Sequence, residues 1–304
     1  MRSIICLLTL LMCSVTACAQ RPNANQHNHG TSEPDPMVEQ DWAKQRLAKS
    51  PRHQEWVKVK NGTREVNSFV VYPEVKNKAT AVVVIHEIFG MSDWVQSLTD
   101  QLAEAGYIAI APDLLSGMGP NGGGTSSLDR SAVGQAIRDL PPDQITADLN
   151  AVVDYVSKLP ASNGKVVVTG YCWGGSQSFR FATNNPNIKA AFVFYGAAPM
   201  KSPDGEVDKD ALARIKAPVY GFYAGNDARI NATLPKTTEA MTELKKKFEP
   251  VTYEGAGHGF MRAGDAPEPD KSAADYQKAL DAWKFNKKAR DEAWERWKKL
   301  LAGV

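Results

Sequence analysis

The sequence predicts a single α/β domain with a mostly parallel central sheet, helices on both of its faces, and an extended C-terminal helix. Three observations carry this. Short apolar, β-branched runs recur from Trp56 onward, they alternate with longer helical stretches, and each run is apolar almost throughout rather than at every second position. Continuous apolar strands are buried on both faces, and strands that alternate with helices form parallel sheets. The composition agrees: 304 residues, 43% hydrophobic and 23% charged, with 23 Gly and 18 Pro, exclude a disordered, collagen-like or coiled-coil chain. Lys+Arg 36 against Asp+Glu 34 leaves a net charge of +2. That is too weak a field to mark nucleic acid or an anionic membrane as a partner.

Residues 1–17 read as an export signal. One basic residue, Arg2, precedes an apolar run from Ile4 to Leu11 that is too short to span a bilayer and ends in small residues. Val15-Thr16-Ala17-Cys18 resembles a bacterial lipobox, in which Cys18 is acylated; cleavage after Ala19 is the alternative. The expectation is an exported protein of the bacterial cell envelope, lipid-anchored through Cys18 or else soluble, touching membrane only by that anchor. Export removes Cys6 and Cys13 and leaves Cys172 without a partner, so no internal disulfide is expected. Residues 18–55 are polar and are expected to form a flexible linker; His27 and His29 within it are assigned no metal site.

The domain then occupies residues 56–304. Strands are expected at 68–72, 81–85, 107–111, 165–169, 190–194, 218–223 and 250–253, with helices at 92–105, 143–159, 174–184 and 236–248. Residues 116–127, SGMGPNGGGTSS, form a flexible connection on the edge where parallel sheets bind ligands. Residues 271–301 are helical, punctuated by Asn286, with Trp283, Trp294 and Trp297 packing onto the sheet.

Chemistry concentrates after three strands. Gly170-Tyr171-Cys172-Trp173-Gly174 has the form G-x-C-x-G, a sharp turn from strand to helix with cysteine in the nucleophile position. Side chains at Gly170 and Gly174 would clash there, and the helix N-terminus favours a thiolate and a developing oxyanion. A buried structural cysteine is the competing reading, and a phosphate-binding glycine loop fails on spacing. Asp227 and His258 follow later strands, so nucleophile, acid and histidine fall in the order of an α/β-hydrolase triad, on one edge of the sheet. His258 would hold the thiolate and protonate the leaving alkoxide, and Asp227 would fix the imidazole tautomer. His86-Glu87 is not a zinc motif, because Gly90 stands where HExxH needs its second histidine; no metal or organic cofactor is implied. The loop it begins is placed to supply an oxyanion hole from the Ile88 and Trp173 backbone N–H groups.

Together the E-I-F-G of residues 87–90, the GYCWGG of 170–175 and the GAGHGF of 255–260 resemble the dienelactone hydrolases. The resemblance covers residues 56–304 and implies a Cys172, Asp227, His258 triad. It also implies that Glu87 holds the cysteine and takes its proton when a substrate carboxylate disturbs the resting contacts. Two arginines that bind that carboxylate would be Arg262 and Arg130, with Arg138 the rival for the second place. The sequence departs at the substrate wall: Gly259 replaces a serine, Gly134 and Ile137 stand where aromatics are expected, and the glycine loop and C-terminal helix are longer. The expected activity is hydrolysis of a small carboxylic ester or lactone through an acyl-thioester. An acyltransferase of the same fold and a non-catalytic envelope binding protein are the alternatives; a redox sensor would lack a resolving cysteine.

Overall fold

The computed structural model describes residues 41–202, 205–272 and 274–304. The expected signal segment, Cys6, Cys13, Cys18, His27 and His29 lie outside the described residues. In chain order the elements are α1 (Asp41–Ala48), β1 (Gln54–Asn61), β2 (Arg64–Val71), β3 (Ala79–Ile85), α2 (Asp93–Glu104), β4 (Ile108–Pro112), α3 (Arg130–Arg138), α4 (Pro142–Ser157) and β5 (Ser162–Tyr171). They continue with α5 (Trp173–Asn184), β6 (Ala191–Phe194), α6 (Lys209–Ala213), β7 (Val219–Ala224), α7 (Ala228–Asn231), α8 (Leu234–Glu243), β8 (Phe248–Tyr253) and α9 (Tyr276–Ala302).

One sheet of eight strands runs in the order β1-β2-β4-β3-β5-β6-β7-β8. From β4 to β8 the neighbours are parallel, while β1 and β2 join antiparallel at one side. Because side chains alternate along a strand, the apolar runs split between two cores. Val83 and Ile85 point with Val168 and Val193 to the layer of α4 and α5; Val82 and Val84 point with Phe192 and Phe194 to the layer of α2 and α9.

Two expectations change at the N-terminal side. Residues 41–55 are not linker: α1 packs beside α2 through buried Ala43, and Arg46 pairs with Glu104 and Asp265. A deeper tie follows, where Arg52 reaches Asp100 at 2.6 Å, with the aspartate side chain wholly buried. Strand β1 was also unexpected. Its residues alternate polar and apolar, so it scores poorly as a buried strand, yet it closes a two-residue hairpin onto β2 through Gly62 at φ +60°.

The C-terminal helix is unbroken across Asn286, contrary to the punctuation expected there. Trp297 is fully buried against Tyr171, Phe192 and Phe194, whereas Trp294 is half-buried under Arg290 and the Trp283 indole N–H donates to the Ala266 carbonyl. Among the described residues no helix is long and apolar enough to cross a membrane.

Candidate active site

Strand β5 ends at Tyr171 and α5 starts at Trp173, leaving Cys172 alone at the corner with φ +55° and ψ −118°. A non-glycine residue at positive φ is strained, and the strain persists where its surroundings dictate it. Here the dictation is close packing. A Cβ at Gly170 would lie 1.9 Å from the Gly174 carbonyl oxygen, and one at Gly174 would lie 2.3 Å from the His86 carbonyl oxygen. The elbow is thus wedged against the 86–90 loop, and Trp173 stacks on His86 at 5.5 Å.

His86 locks that loop. Its ring Nδ1 lies 2.8 Å from the Glu87 carbonyl oxygen and its Nε2 accepts from the Leu114 N–H at 3.3 Å, so the tautomer carries its proton on Nδ1. Burial pushes its pKa down, which keeps the ring neutral. The loop is closed by a bridge between Glu87 and Gly90, and the Trp173 N–H hydrogen-bonds toward Cys172.

Asp227 caps α7, accepting from the Ile230 N–H at 3.3 Å, and its other oxygen takes a short hydrogen bond from His258 Nδ1. That fixes the histidine tautomer and reserves Nε2 for proton transfer. The loop after β8 holds the ring in place. Gly257 donates to the Asn286 side-chain oxygen at 2.8 Å, Asn226 bonds Gly255 and Ala256, and Tyr195 meets the His258 ring edge-on at 4.9 Å. The structure therefore puts Cys172, Asp227 and His258 beyond the carboxyl ends of β5, β7 and β8, with His258 paired to Asp227.

Glu87 is 2% exposed, and neither carboxylate oxygen accepts a hydrogen bond. Burial raises its pKa, while Arg262, 3.7 Å away, and His258 oppose the shift. At Cys172 burial and the helix N-terminus act in opposite directions. Burial first, and the Glu87 charge second, push its thiol up to about 11 against the weaker pull of the Trp173 N–H and of Arg262 and Arg229. The shift runs against the thiolate that a helix N-terminus alone would favour and agrees with the cysteine, protonated until substrate binds, that the family resemblance implies, because one end of a helix does not offset desolvation.

Arg262 joins the site: its guanidinium lies near Glu87 and 5.5 Å from the Phe89 ring. The glycine after the histidine fits this placement. Gly259 has φ +80°, and a Cβ there would lie 2.2 Å from Arg262 Nη2. Arg130 and Arg138 both line a cleft with Ile88 and Phe89, and Arg138 bonds Gln135. The glycine loop edges the same cleft through Thr125. It is held rather than loose, since Asp113 accepts from the Thr125 N–H at 2.7 Å and its hydroxyl at 2.8 Å, and the Met91 N–H donates to that hydroxyl.

Sequence reasoning missed Tyr195 and Asn286. Tyr195 has φ +41°, is fully buried, and its hydroxyl lacks a hydrogen-bond partner. Its position at the carboxyl end of β6 was the available signal. Asn286 carried none, because its partner lies in a distant loop. Among the described residues no group of three or more His, Cys, Asp or Glu is placed to hold a metal ion.

A sequence profile of the dienelactone hydrolase family matches residues 66–304. A candidate carboxymethylenebutenolidase of Saccharolobus solfataricus is 30% identical over 274 residues, covering 79% of this chain and 95% of that protein. Another, of Methylorubrum extorquens, is 33% identical over 211 residues, covering 66% of this chain and 70% of its own. Among solved structures, a candidate dienelactone hydrolase of Klebsiella pneumoniae superposes with a TM-score of 0.66 at 24% identity, over 83% of this chain and 99% of that chain, a likeness of fold.

Proposed function

The chain belongs to the dienelactone hydrolase family, and from that premise we propose that it hydrolyses a small carboxylic ester or lactone through an acyl-thioester on Cys172. The observation that carries this is the strained elbow at φ +55° that lifts Cys172 to the sheet edge where Asp227 already orients His258. At rest the thiol is protonated beside the unsatisfied Glu87 carboxylate. An anionic substrate draws Arg262 from Glu87, which leaves Glu87 a stronger base, and it takes the thiol proton. Sulfur then attacks the carbonyl carbon, and the Ile88 and Trp173 N–H groups receive the oxyanion. Collapse breaks the C–O bond. His258 carries a proton from water to the departing alkoxide, the hydroxide attacks the thioester, and the C–S bond breaks to release the acid. The Cys172 thiolate regains its proton from Glu87, closing the cycle.

The test is purified protein against a small-ester panel that includes a dienelactone, beside Cys172→Ala. Turnover is expected to fall by more than about a thousandfold in the variant, with an acyl adduct on Cys172 trapped by mass spectrometry in the wild type. Undiminished hydrolysis in the variant would sink the mechanism.

We also place the protein in the bacterial cell envelope, anchored through an acylated Cys18; the support is the apolar run and lipobox-like residues of the leader. Labelled palmitate should enter the wild type and not Cys18→Ser. Label in neither would remove the anchor from the proposal.

A further inference from the structure

We propose that the cleft between the 87–90 loop and α3 is a second substrate subsite, and that it takes a bulky apolar group attached to the ester, an aryl or medium-length alkyl chain. The inference rests on the reading of Cys172 as nucleophile, because it names what is bound next to that sulfur. The cleft has a volume of about 460 Å³, within the roughly 300–1,000 Å³ of small-molecule pockets. Its walls are mainly apolar: Ile88, Phe89, Met91, Leu128 and Val133. Arg130, Arg138 and Asp93 also border it, so the charge there is of mixed sign and does not by itself select an ion.

Two features tie the cleft to the reaction. Ile88, whose backbone N–H is assigned to the proposed oxyanion hole, also lines the cleft, with its Cγ1 facing Gly134, so hole and cleft share a residue. Phe89 continues the wall toward Arg262, whose Cζ is 5.5 Å from the ring centre. The cleft is also built in advance. Thr125, fixed by Asp113, donates one wall and accepts the Met91 N–H; Gly90, at φ +69°, has no room for a Cβ, which would lie 2.4 Å from the Thr125 hydroxyl oxygen.

Gly134 keeps it open. This glycine sits inside α3, where it weakens the helix by about 1 kcal/mol relative to alanine. A Cβ there would meet Ile88 Cγ1 and Arg138 Nη1 at 3.7 Å each, ordinary contact. An alanine therefore fits, and any larger side chain grows from that point into the space beside Ile88. The helix accepts the weaker residue at a position that faces Ile88 across the cleft.

The experiment compares wild type, Gly134→Ala and Gly134→Phe as full chains on 4-carboxyphenyl acetate, butyrate and octanoate, whose leaving-group carboxylate supplies the anion that draws Arg262 from Glu87. The wild type and Gly134→Ala should favour octanoate over acetate by at least tenfold in kcat/KM, and Gly134→Phe should bring that ratio near one, mainly through KM. A flat wild-type series, or a Gly134→Phe enzyme that keeps the preference, overturns the subsite. A second readout does not depend on turnover: calorimetric binding of octyl methyl ketone to Cys172→Ala, with and without Gly134→Phe. Affinity should fall by about tenfold or more with the phenylalanine, and equal binding rejects the subsite. If no ester is hydrolysed while ketone binding responds to residue 134, the hydrolytic reading fails and the subsite stands.

Discussion

The Glu87 carboxylate is 2% exposed, accepts no hydrogen bond at either oxygen, and stands 3.7 Å from the Arg262 guanidinium. Its pKa is raised, so over the range just above the ordinary glutamate value the folded state keeps a proton that the unfolded chain has released. Stability therefore declines as pH rises through that range, and the cost persists above it. Glu87→Gln removes the buried charge and should stabilise the fold at pH 8 by about 1–3 kcal/mol, the scale of an unsatisfied buried group. The gain should fade toward pH 4, where the wild-type side chain is also neutral; thermal unfolding across pH checks both ends. The same variant loses the charge that helps hold the Cys172 thiol near 11, so iodoacetamide should modify it faster at pH 8 while ester turnover drops. Slower modification would contradict the electrostatic account. Cys172, Glu87, Asp227 and His258 were legible in sequence because motifs at strand ends mark them. The part that burial plays in raising the thiol's pKa was not, since burial is a property of the packed site.

At the scale of elements, the histidine loop and α9 form one unit. Asn286 turns what reads as a helix break into a tie, its side-chain oxygen accepting the N–H of Gly257, the residue before His258. Asn286→Ala frees that amide and loosens the imidazole, and a misplaced base is costly even when binding is intact. The expected result is a fall in kcat of about tenfold or more with KM little changed, and recovery in Asn286→Asp, which keeps an acceptor; steady-state kinetics over pH decide it. An unchanged kcat in Asn286→Ala would remove Asn286 from the positioning of His258. The parallel strands and long helices were legible because burial on two faces leaves continuous apolar runs. Helices α1 and α3 were not: α1 is short with few apolar positions, and α3 contains the glycine at 134. Both are specified by what they pack against.

Across the whole molecule, the N-terminal segment is joined to the domain by a buried ion pair, Arg52 with Asp100 at 2.6 Å, supported by Ser50. Breaking such a pair leaves one charge stranded, and Arg52→Ala should destabilise the fold by about 3–5 kcal/mol, measured by denaturant unfolding. A loss below 1 kcal/mol would show that water or another cation reaches Asp100 easily. The polar sequence before residue 56 hid this tie, because composition reports the average of a segment and not one buried contact. The sheet order has a consequence for encounters between copies. An unpaired strand edge is a template for stacking into fibres, and this sheet ends on β1 at one rim and β8 at the other. The outer strand β1 carries the exposed lysines 58 and 60, and β8 carries Pro250, which has no N–H to offer a newcomer. Each rim is thus poorly suited to growth, a safeguard that suits a chain without a disulfide among its described residues to hold it shut.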